Sequence, residues 1–330
     1  MRRRKLITLL GGAALWPLVA RAQQPDRVRR IGVLMAFGEN DPEGTLWVSS
    51  FTKGLHELSW IDGRNVRLDV RWAAGRPERI QKFAKELVNL QPDVIVAHGT
   101  PVTAALQRET RTIPIVFVTV SDPVGDGFVA SLSRPGGNIT GFHFSEGEMT
   151  GKWLEFLIQI APSVKRVTIM FNPDTAAGRG AYYLPSFEAA ARLLKVETIT
   201  APVHSAAEIE SGITSAGREP GSGLVLMADP FLVVHRETII SQTARNNVPA
   251  IYFLTVFARN GGLLSYGPDN AAMFHRAASY VDRILRGENP ARLPVQVPTK
   301  YELVINLNTA KALGLAVPAS MQQLADEVIE

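Results

Sequence analysis

Short apolar segments alternate with longer amphipathic segments along most of this chain, and no other feature of the sequence restricts the fold as strongly. The first apolar segment, residues 30–36, is a continuous run of the kind that a strand buried on both faces requires. It is followed by Trp47, Phe51, Leu55 and Leu58, which recur at the spacing of one helical face. The alternation continues through residue 120 and predicts an α/β fold with helices covering a parallel sheet.

The pattern occurs twice. Three segments of the first half are matched in the same order in the second half, namely 30–40 by 166–174, 93–100 by 223–230 and 112–118 by 247–253. Any one match is weak because apolar strands resemble one another. Their nearly constant offset is the stronger observation, and it predicts two similar Rossmann-like lobes with parallel sheets.

The last third of the sequence is too short for a third lobe, so its elements are expected to complete the other two. We predict that lobe 1 comprises residues 28–141 and 261–295, and that lobe 2 comprises residues 142–260 and 296–330. The chain would then cross between the lobes near residues 142, 260 and 296. Three such connections predict a three-strand hinge about which the lobes open and close.

The N-terminus has the organisation of a secretory signal peptide. Four basic residues, Arg2 to Lys5, precede an apolar stretch that ends at Ala20, and Ala20-Arg21-Ala22 is a small-x-small cleavage site. We therefore expect residues 1–22 to be removed after Ala22 and the mature protein to be periplasmic. The paired arginines favour the twin-arginine route, although a Sec signal also begins with basic residues. The alternative is a buried N-terminal helix.

Charge and composition exclude several classes of function. The chain has 35 basic and 31 acidic residues, and five of the basic residues lie in the predicted signal peptide, which leaves 30 and 31. A net charge of −1 on the remainder gives no reason to expect a nucleic-acid partner. The absence of cysteine excludes thiol catalysis and cysteine-ligated metals, and we expect neither a metal nor a cofactor.

Small, polar and turn-forming residues follow the predicted strands of both lobes. In parallel sheets ligands bind beyond the carboxyl ends of the strands, so two facing lobes would direct these residues into one cleft. The candidate ligand-binding residues are Phe37, Gly99, Thr100, Thr103, Asp122, Phe144, Asn172, Pro173, Asp174, Asp229 and Tyr252.

Each candidate also has a structural interpretation. Thr100 and Pro101 suit a helix start, whose free N–H groups attract a carboxylate, but they would equally begin an ordinary helix. Asp122 and Asp229 each precede a proline, so either could bind a ligand amine or hydroxyl, or only form a turn. The aromatic candidates could stack on a ligand or pack in the core.

Catalytic motifs are missing from the sequence. It contains no GxxxxGK[ST], GxSxG or HExxH pattern, and no glycine triplet follows the first strand. The six histidines, at positions 56, 98, 143, 204, 235 and 275, show no metal-ligand spacing. These observations predict a protein that is not an enzyme. A glycosidase-type pair of catalytic carboxylates leaves no fixed sequence pattern, so it stays open. An enzyme of similar two-lobe architecture, such as a glycosyltransferase, is the alternative.

Four segments carry a resemblance to a known family. They are MRRRKLITLLGG at the N-terminus, VSDPVGDGFVASLSRPGGNITGF at 120–142, KWLEFLIQIAPSVKRVTIMFNPD at 152–174 and PTKYELVINLNTAKALGL at 298–315. The chain resembles the tryptophan/tyrosine-type substrate-binding proteins of ABC transporters over essentially its whole mature length.

The resemblance implies a type I periplasmic binding fold that closes around a small ligand. It also implies a membrane permease and an ATPase subunit as partners, contact with the membrane only through the permease, and a monomeric receptor. An aromatic or apolar acid or amino acid is the ligand class that it favours, held at Gly99, Thr100, Asp122 and the 172–174 segment. A subunit that reports ligand binding to a membrane signalling protein would have the same fold and is the alternative.

Overall fold

The structure, a computed structural model, describes residues 27–330, and the predicted signal peptide at 1–22 lies outside them. The first sheet contains five parallel strands in the order β2-β1-β3-β4-β5. They are β1 Arg29–Met35, β2 Val66–Trp72, β3 Val94–His98, β4 Ile115–Val120 and β5 Ile139–His143. Strands β3 and β5 are buried throughout and β1 and β4 almost so, as their continuous apolar runs predict.

The second sheet contains seven strands in the order β12-β11-β10-β9-β8-β6-β7. They are β6 Arg166–Phe171, β7 Glu197–Pro202, β8 Ser222–Leu226, β9 Ala250–Tyr252, β10 Leu264–Pro268, β11 Tyr301–Asn306 and β12 Glu327–Ile329. Strands β6 to β10 repeat the arrangement of β1 to β5, which confirms the predicted pair of similar α/β lobes. Strand β11 runs antiparallel to β10 and extends the second sheet beyond the repeat.

Helices cover both faces of the two sheets. They are α1 Pro42–Glu57, α2 Pro77–Asn89, α3 Gly99–Glu109, α4 Met149–Ile160, α5 Leu184–Leu194, α6 Ala206–Gly217, α7 Pro230–Val234, α8 Arg236–Arg245, α9 Thr255–Arg259, α10 Asn270–Leu285, α11 Leu307–Ala312 and α12 Ala319–Leu324. Short 3₁₀ turns occupy Ala177–Gly180 and Pro290–Arg292. No helix within residues 27–330 is long and apolar enough to cross a membrane.

Helix α10 packs tightly on α1 of the first lobe. A β-carbon at Gly54 would lie 2.6 Å from the His275 carbonyl oxygen, so only glycine permits this approach. The N-terminus of α1 is capped by Asp41, whose Oδ1 accepts hydrogen bonds from the Glu43 and Gly44 amides at 3.0 and 3.3 Å. Capping and close packing together fix α1 at the edge of the space between the lobes.

The predicted division of the last third differs from the observed sheets at one element. The sequence predicts that residues 261–295 belong to lobe 1, but β10 pairs with β9 and β11 in the second sheet. The physical reason is the repeat itself, since β10 occupies in the second sheet the place that β5 occupies in the first. The chain returns to the first lobe only at Asp269, where α10 begins, rather than near residue 260.

The connection after β5 and the segment before β11 form the other two crossings. His143 donates its backbone N–H to Gln296 at 2.8 Å, and Gln296 donates its own to Gly141 at 2.9 Å, so the two segments run side by side. The Thr140 hydroxyl adds a third hydrogen bond between these two segments, donating to the Leu293 carbonyl at 2.6 Å. The lobes are thus joined by adjacent extended segments, an arrangement that permits hinge motion.

Candidate functional site

A cavity lies between the lobes at the carboxyl ends of both sets of strands. It encloses about 420 Å³ of space, part of it open to solvent. The first lobe and α10 contribute Phe37, Trp47, His98, Thr100, Thr119, Ser121 and Asn270. The crossing after β5 and the second lobe contribute Phe144, Thr175, Ala177, Ala228, Asp229, Pro230, Val233, Phe253 and Leu254.

Aromatic rings form much of the cavity wall on both sides. In the first lobe the centroids of Phe37 and Trp47 are 5.2 Å apart, and Trp47 stacks on Phe274 at 5.5 Å. On the opposite side Phe144 and Phe253 meet edge to face at 6.1 Å. Since all of these rings are almost fully buried, they are held rigidly and present flat apolar surfaces to the cavity.

His98 is a neutral hydrogen-bond donor at the cavity. Its Nδ1 accepts the Ala36 amide at 3.2 Å, so Nε2 carries the proton in the neutral ring. Burial lowers the pKa of His98 from 6.5 to about 3, and the ring packs edge to face against Phe37 at 4.6 Å. His98 therefore adds polarity to the aromatic wall without adding charge.

The start of α3 faces the second lobe across the cavity. Gly99 has a φ of +80°, and a β-carbon there would lie 3.6 Å from the Pro230 ring, so the two lobes approach closely at this point. Thr100 follows directly and lines the cavity. The free N–H groups of this 11-residue helix and its dipole favour an anionic group nearby.

Asp229 organises the second-lobe side. Its Oδ2 accepts the Asn172 amide at 2.6 Å, and its Oδ1 accepts the Phe231 amide at 2.8 Å together with the Thr175 hydroxyl. Burial raises the pKa of Asp229 to about 6 despite these three hydrogen bonds, which lower it. The carboxylate thus fixes the loops after β6 and β8 and places negative charge at the cavity wall.

Asn270 offers an unused acceptor to the cavity. The residue is 5% exposed, and its Oδ1 is buried with no hydrogen-bond partner among residues 27–330. Asp269 places it there by capping α10, accepting the Ala272 amide at 2.9 Å. A buried acceptor without a donor costs free energy, so this position favours a ligand that brings an N–H or O–H group.

Few charged side chains line the cavity. No lysine or arginine of the described chain lines it, and Asp229 is the only carboxylate among its lining residues. Residues 27–330 also contain no group of three or more side chains that could hold a metal ion. The arrangement suits enclosure of a partly apolar molecule with polar groups at its ends.

The structure brings together only some of the predicted site residues. Phe37, Thr100, Phe144 and Asp229 line the cavity, and Gly99 forms the adjoining close contact. The other six candidates do not line it. They are Thr103, Asp122, Asn172, Pro173, Asp174 and Tyr252.

Each residue outside the cavity has a local reason for its position. The Thr103 hydroxyl donates to the Gly99 carbonyl within α3 at 2.8 Å. Asp122 accepts the Gly125 amide at 2.7 Å to form a turn, and it borders a separate groove with Glu146 and Tyr182. The structural interpretation of Asp122 is therefore the one that the geometry supports.

The second-lobe candidates support the cavity from behind or point away from it. Asn172 Oδ1 accepts the Asp174 amide at 2.7 Å, and Pro173 lies between these two residues in the sequence. Asp174 itself lies at the surface, 3.8 Å from Arg179. Tyr252 stacks on Phe257 at 4.8 Å in the core, and its hydroxyl bonds to Thr243 at 3.1 Å. The next residue along the chain, Phe253, faces the cavity instead.

Sequence reasoning missed several lining residues, most clearly Trp47, Asn270 and Val233. They lie on helices rather than at strand ends, so the rule that identified the other candidates did not apply to them. Trp47 was recognised only as part of a helical apolar face. The signal that could have identified Asn270 is its place directly after Asp269, a favourable helix cap that follows a strand.

A two-lobe α/β fold with an aromatic cavity between the lobes defines the class of ligand-binding proteins that close around small molecules. Comparison with known sequences then places the chain: the sequence model described as "ABC transporter substrate binding protein" matches residues 37–329. The chain belongs to this family. It is a substrate-binding receptor of the ABC importer type, as the resemblance predicted.

Known relatives agree with this assignment. The "Tyrosine-binding protein" of Clostridioides difficile is 27% identical over 266 residues, which covers 80% of this chain and 75% of that protein. A crystal structure of an ABC domain in complex with L-Trp from Streptococcus pneumonia aligns with a TM-score of 0.83 and 26% identity, covering 91% and 99% of the two chains. A conserved domain protein from Vibrio cholerae aligns with a TM-score of 0.85, also at 26% identity, over 92% and 100%.

Proposed function

We propose that this receptor captures an aromatic amino acid, or a closely related aromatic acid, between its lobes and delivers it to a membrane permease. The observation that carries the proposal is the interlobe cavity, whose walls are aromatic and whose polar groups lie at separate places. The names of two relatives, a tyrosine-binding protein and an L-Trp complex, support the same ligand class.

The charges around the cavity suit a zwitterion. With no basic side chain of the described residues at the cavity wall, a ligand carboxylate would be held by the N–H groups at the start of α3, beside Gly99 and Thr100. The ligand ammonium would donate to Asn270 Oδ1 and be attracted by Asp229. The side-chain ring would lie between Phe37 and Phe253, where edge-to-face and stacked contacts are available.

Export and partners complete the proposal. The N-terminal signal would send the protein to the periplasm, with the twin-arginine route favoured by its paired arginines. There it would act as a monomer and dock in its closed form on a permease that is driven by an ATPase subunit. The receptor itself would carry out no chemistry, in keeping with a family of substrate-binding proteins.

A thermal-shift screen of residues 23–330 tests the ligand assignment. The panel contains L-tryptophan, L-tyrosine, L-phenylalanine, branched-chain amino acids, sugars and nucleosides. A ligand at a hundredfold excess over its Kd stabilises the folded protein by about 2.7 kcal/mol, a shift of several degrees in Tm. We expect shifts with aromatic amino acids only. Shifts confined to sugars or nucleosides, or turnover of any compound, would contradict the proposal.

Ligand analogues separate the two polar contacts. Tryptamine lacks the carboxylate and indole-3-propionic acid lacks the ammonium of L-tryptophan, so each removes one predicted contact. Asn270→Ala should weaken the binding of L-tryptophan but leave the binding of indole-3-propionic acid unchanged, because only L-tryptophan has an ammonium group that can donate to Oδ1. Equal losses for both compounds would show that Asn270 acts through the structure of the cavity rather than through the ligand ammonium.

A further inference from the structure

An ion pair joins the two lobes at the edge of the cleft. Arg236, the first residue of α8 in the second lobe, donates from Nη1 to Asp41 Oδ2 of the first lobe at 2.6 Å. The two side chains are only 10% and 11% exposed. Asp41 caps α1 of the first lobe and Arg236 begins α8 of the second, so the pair is a contact between the lobes rather than within either one.

Both partners also contribute to the structure of the cavity wall. Asp41 caps α1 through Oδ1, and α1 carries Trp47 into the cavity. Arg236 donates to the Val233 carbonyl at 3.2 Å, and Val233 lines the cavity from the other lobe. The pair therefore connects the two elements that hold opposite walls of the site.

Close packing around the pair shows that this part of the cleft is fully shut. A β-carbon at Gly75 in the first lobe would lie 2.9 Å from Val234 of the second lobe. Arg236 Nε is buried without a hydrogen-bond partner among residues 27–330. The buried guanidinium charge is therefore compensated mainly by the Asp41 carboxylate. Burial raises the pKa of Glu43, and Arg259, Asp41 and Arg236 are all close enough to affect it, so these are the other charged groups that face the pair.

We propose that Asp41 and Arg236 are positioning residues that hold the lobes closed and thereby set how long a ligand stays bound. The paired charges are compensated in the closed form, while in an open form each would be hydrated separately. Because neither side chain lines the cavity, the pair stabilises closure around whatever ligand the cavity accepts. The proposal does not depend on the ligand being an aromatic amino acid.

The closed fraction of the ligand-free protein tests the proposal directly. The chain has no cysteine, so single cysteines introduced at Lys82 on α2 and Leu193 on α5, both exposed, can carry a fluorescence donor and acceptor. Asp41→Asn keeps a side-chain oxygen that can cap α1 but removes the charge. We expect it to lower the ratio of closed to open molecules about tenfold, because charge-assisted hydrogen bonds are roughly twice as strong as neutral ones.

Arg236→Met removes the whole contact and should lower the ratio further, by about 30-fold or more. Arg236→Lys keeps the charge and should recover part of this loss. Asp93→Asn is the matched control, since Asp93 also accepts a backbone amide and pairs with an arginine, Arg29 at 2.9 Å, but all of these groups lie in the first lobe. A closed fraction that is equal in the wild type and in Asp41→Asn overturns the proposal, as does an equal change in Asp93→Asn.

Dissociation kinetics provide a second measurement, with L-tryptophan as the probe. Faster dissociation of the probe from Asp41→Asn, at an unchanged association rate, is expected of a contact made only after closure. Loss of association rate together with a lower Tm would instead assign Asp41 a purely structural role and overturn the proposal. Failure of L-tryptophan to bind the wild type would count against the proposed ligand alone, since the closed fraction is measured without any ligand.

Discussion

Two buried titratable residues at the cavity should give the protein opposite responses to acid. Burial lowers the pKa of His98 from 6.5 to about 3, so the folded protein keeps the ring neutral where the unfolded chain is protonated. The stabilising effect is present above about pH 6.5 and is lost as the pH falls towards 3. Between pH 7.5 and 5.0, His98 should lower the free energy of unfolding by about 2 kcal/mol.

Asp229 acts in the other direction. Burial raises its pKa from 3.8 to about 6, so on acidification the folded protein takes up a proton before the unfolded chain does. The associated stability is present below about pH 4 and is lost as the pH rises through 6. Over the same interval from pH 7.5 to 5.0, Asp229 should raise the free energy of unfolding by about 1 kcal/mol, which offsets part of the effect of His98.

Single substitutions separate the two effects in urea unfolding at pH 7.5 and 5.0. In His98→Asn the amide oxygen can replace Nδ1 as the acceptor for Ala36, while the titrating ring is gone. Relative to wild type, this variant should gain about 2 kcal/mol of unfolding free energy on acidification, and Asp229→Asn should lose about 1 kcal/mol. The comparison uses each variant's change with pH, so a constant cost of the substitution cancels. Changes of the same sign in both variants would refute the assignment of these pKa shifts.

Three further predictions concern backbone and packing. Gly141 has a φ of +155°, and Gly141→Ala would place a β-carbon against the Phe117 carbonyl oxygen. Urea unfolding should therefore show that the free energy of unfolding falls by more than about 3 kcal/mol. Near-wild-type stability would contradict this prediction. Trp153→Phe removes the hydrogen bond from Nε1 to the Tyr266 carbonyl, 2.7 Å long, and should cost about 1–3 kcal/mol by the same measurement. Gly75 has a φ of +70° and faces Val234 of the second lobe. Gly75→Ala should therefore reduce the closed fraction measured by fluorescence, with a smaller relative effect on Tm.

The sequence predicts the two lobes well because buried parallel strands leave continuous apolar runs. It does not show which sheet a given strand joins, since β10 has the same apolar pattern as the strands of the first lobe. That choice depends on long-range pairing with β9 and β11. The repeat nevertheless indicates the correct sheet for β10, because Leu264 begins the fifth strand of lobe 2 as Ile139 begins the fifth strand of lobe 1.

The cavity is predicted less completely for a related reason. Strand ends lead to Phe37, Thr100 and Asp229, because the carboxyl ends of parallel strands converge on one edge. Tyr252 and Phe253 show how sensitive such a prediction is, since successive residues at the end of a strand point in opposite directions. Residues carried by helices, such as Trp47, depend on how α1 packs, which the pattern of apolar residues does not specify.

The measurement that tests the central claim most directly is a crystal structure of residues 23–330 with the ligand that gives the largest thermal shift. We predict electron density for one ligand between Phe37 and Phe253, with a carboxylate at the start of α3 beside Thr100 and a donor within hydrogen-bond distance of Asn270 Oδ1. Ligand density outside the interlobe cavity, or an empty cavity in a protein saturated with that ligand, would contradict the account.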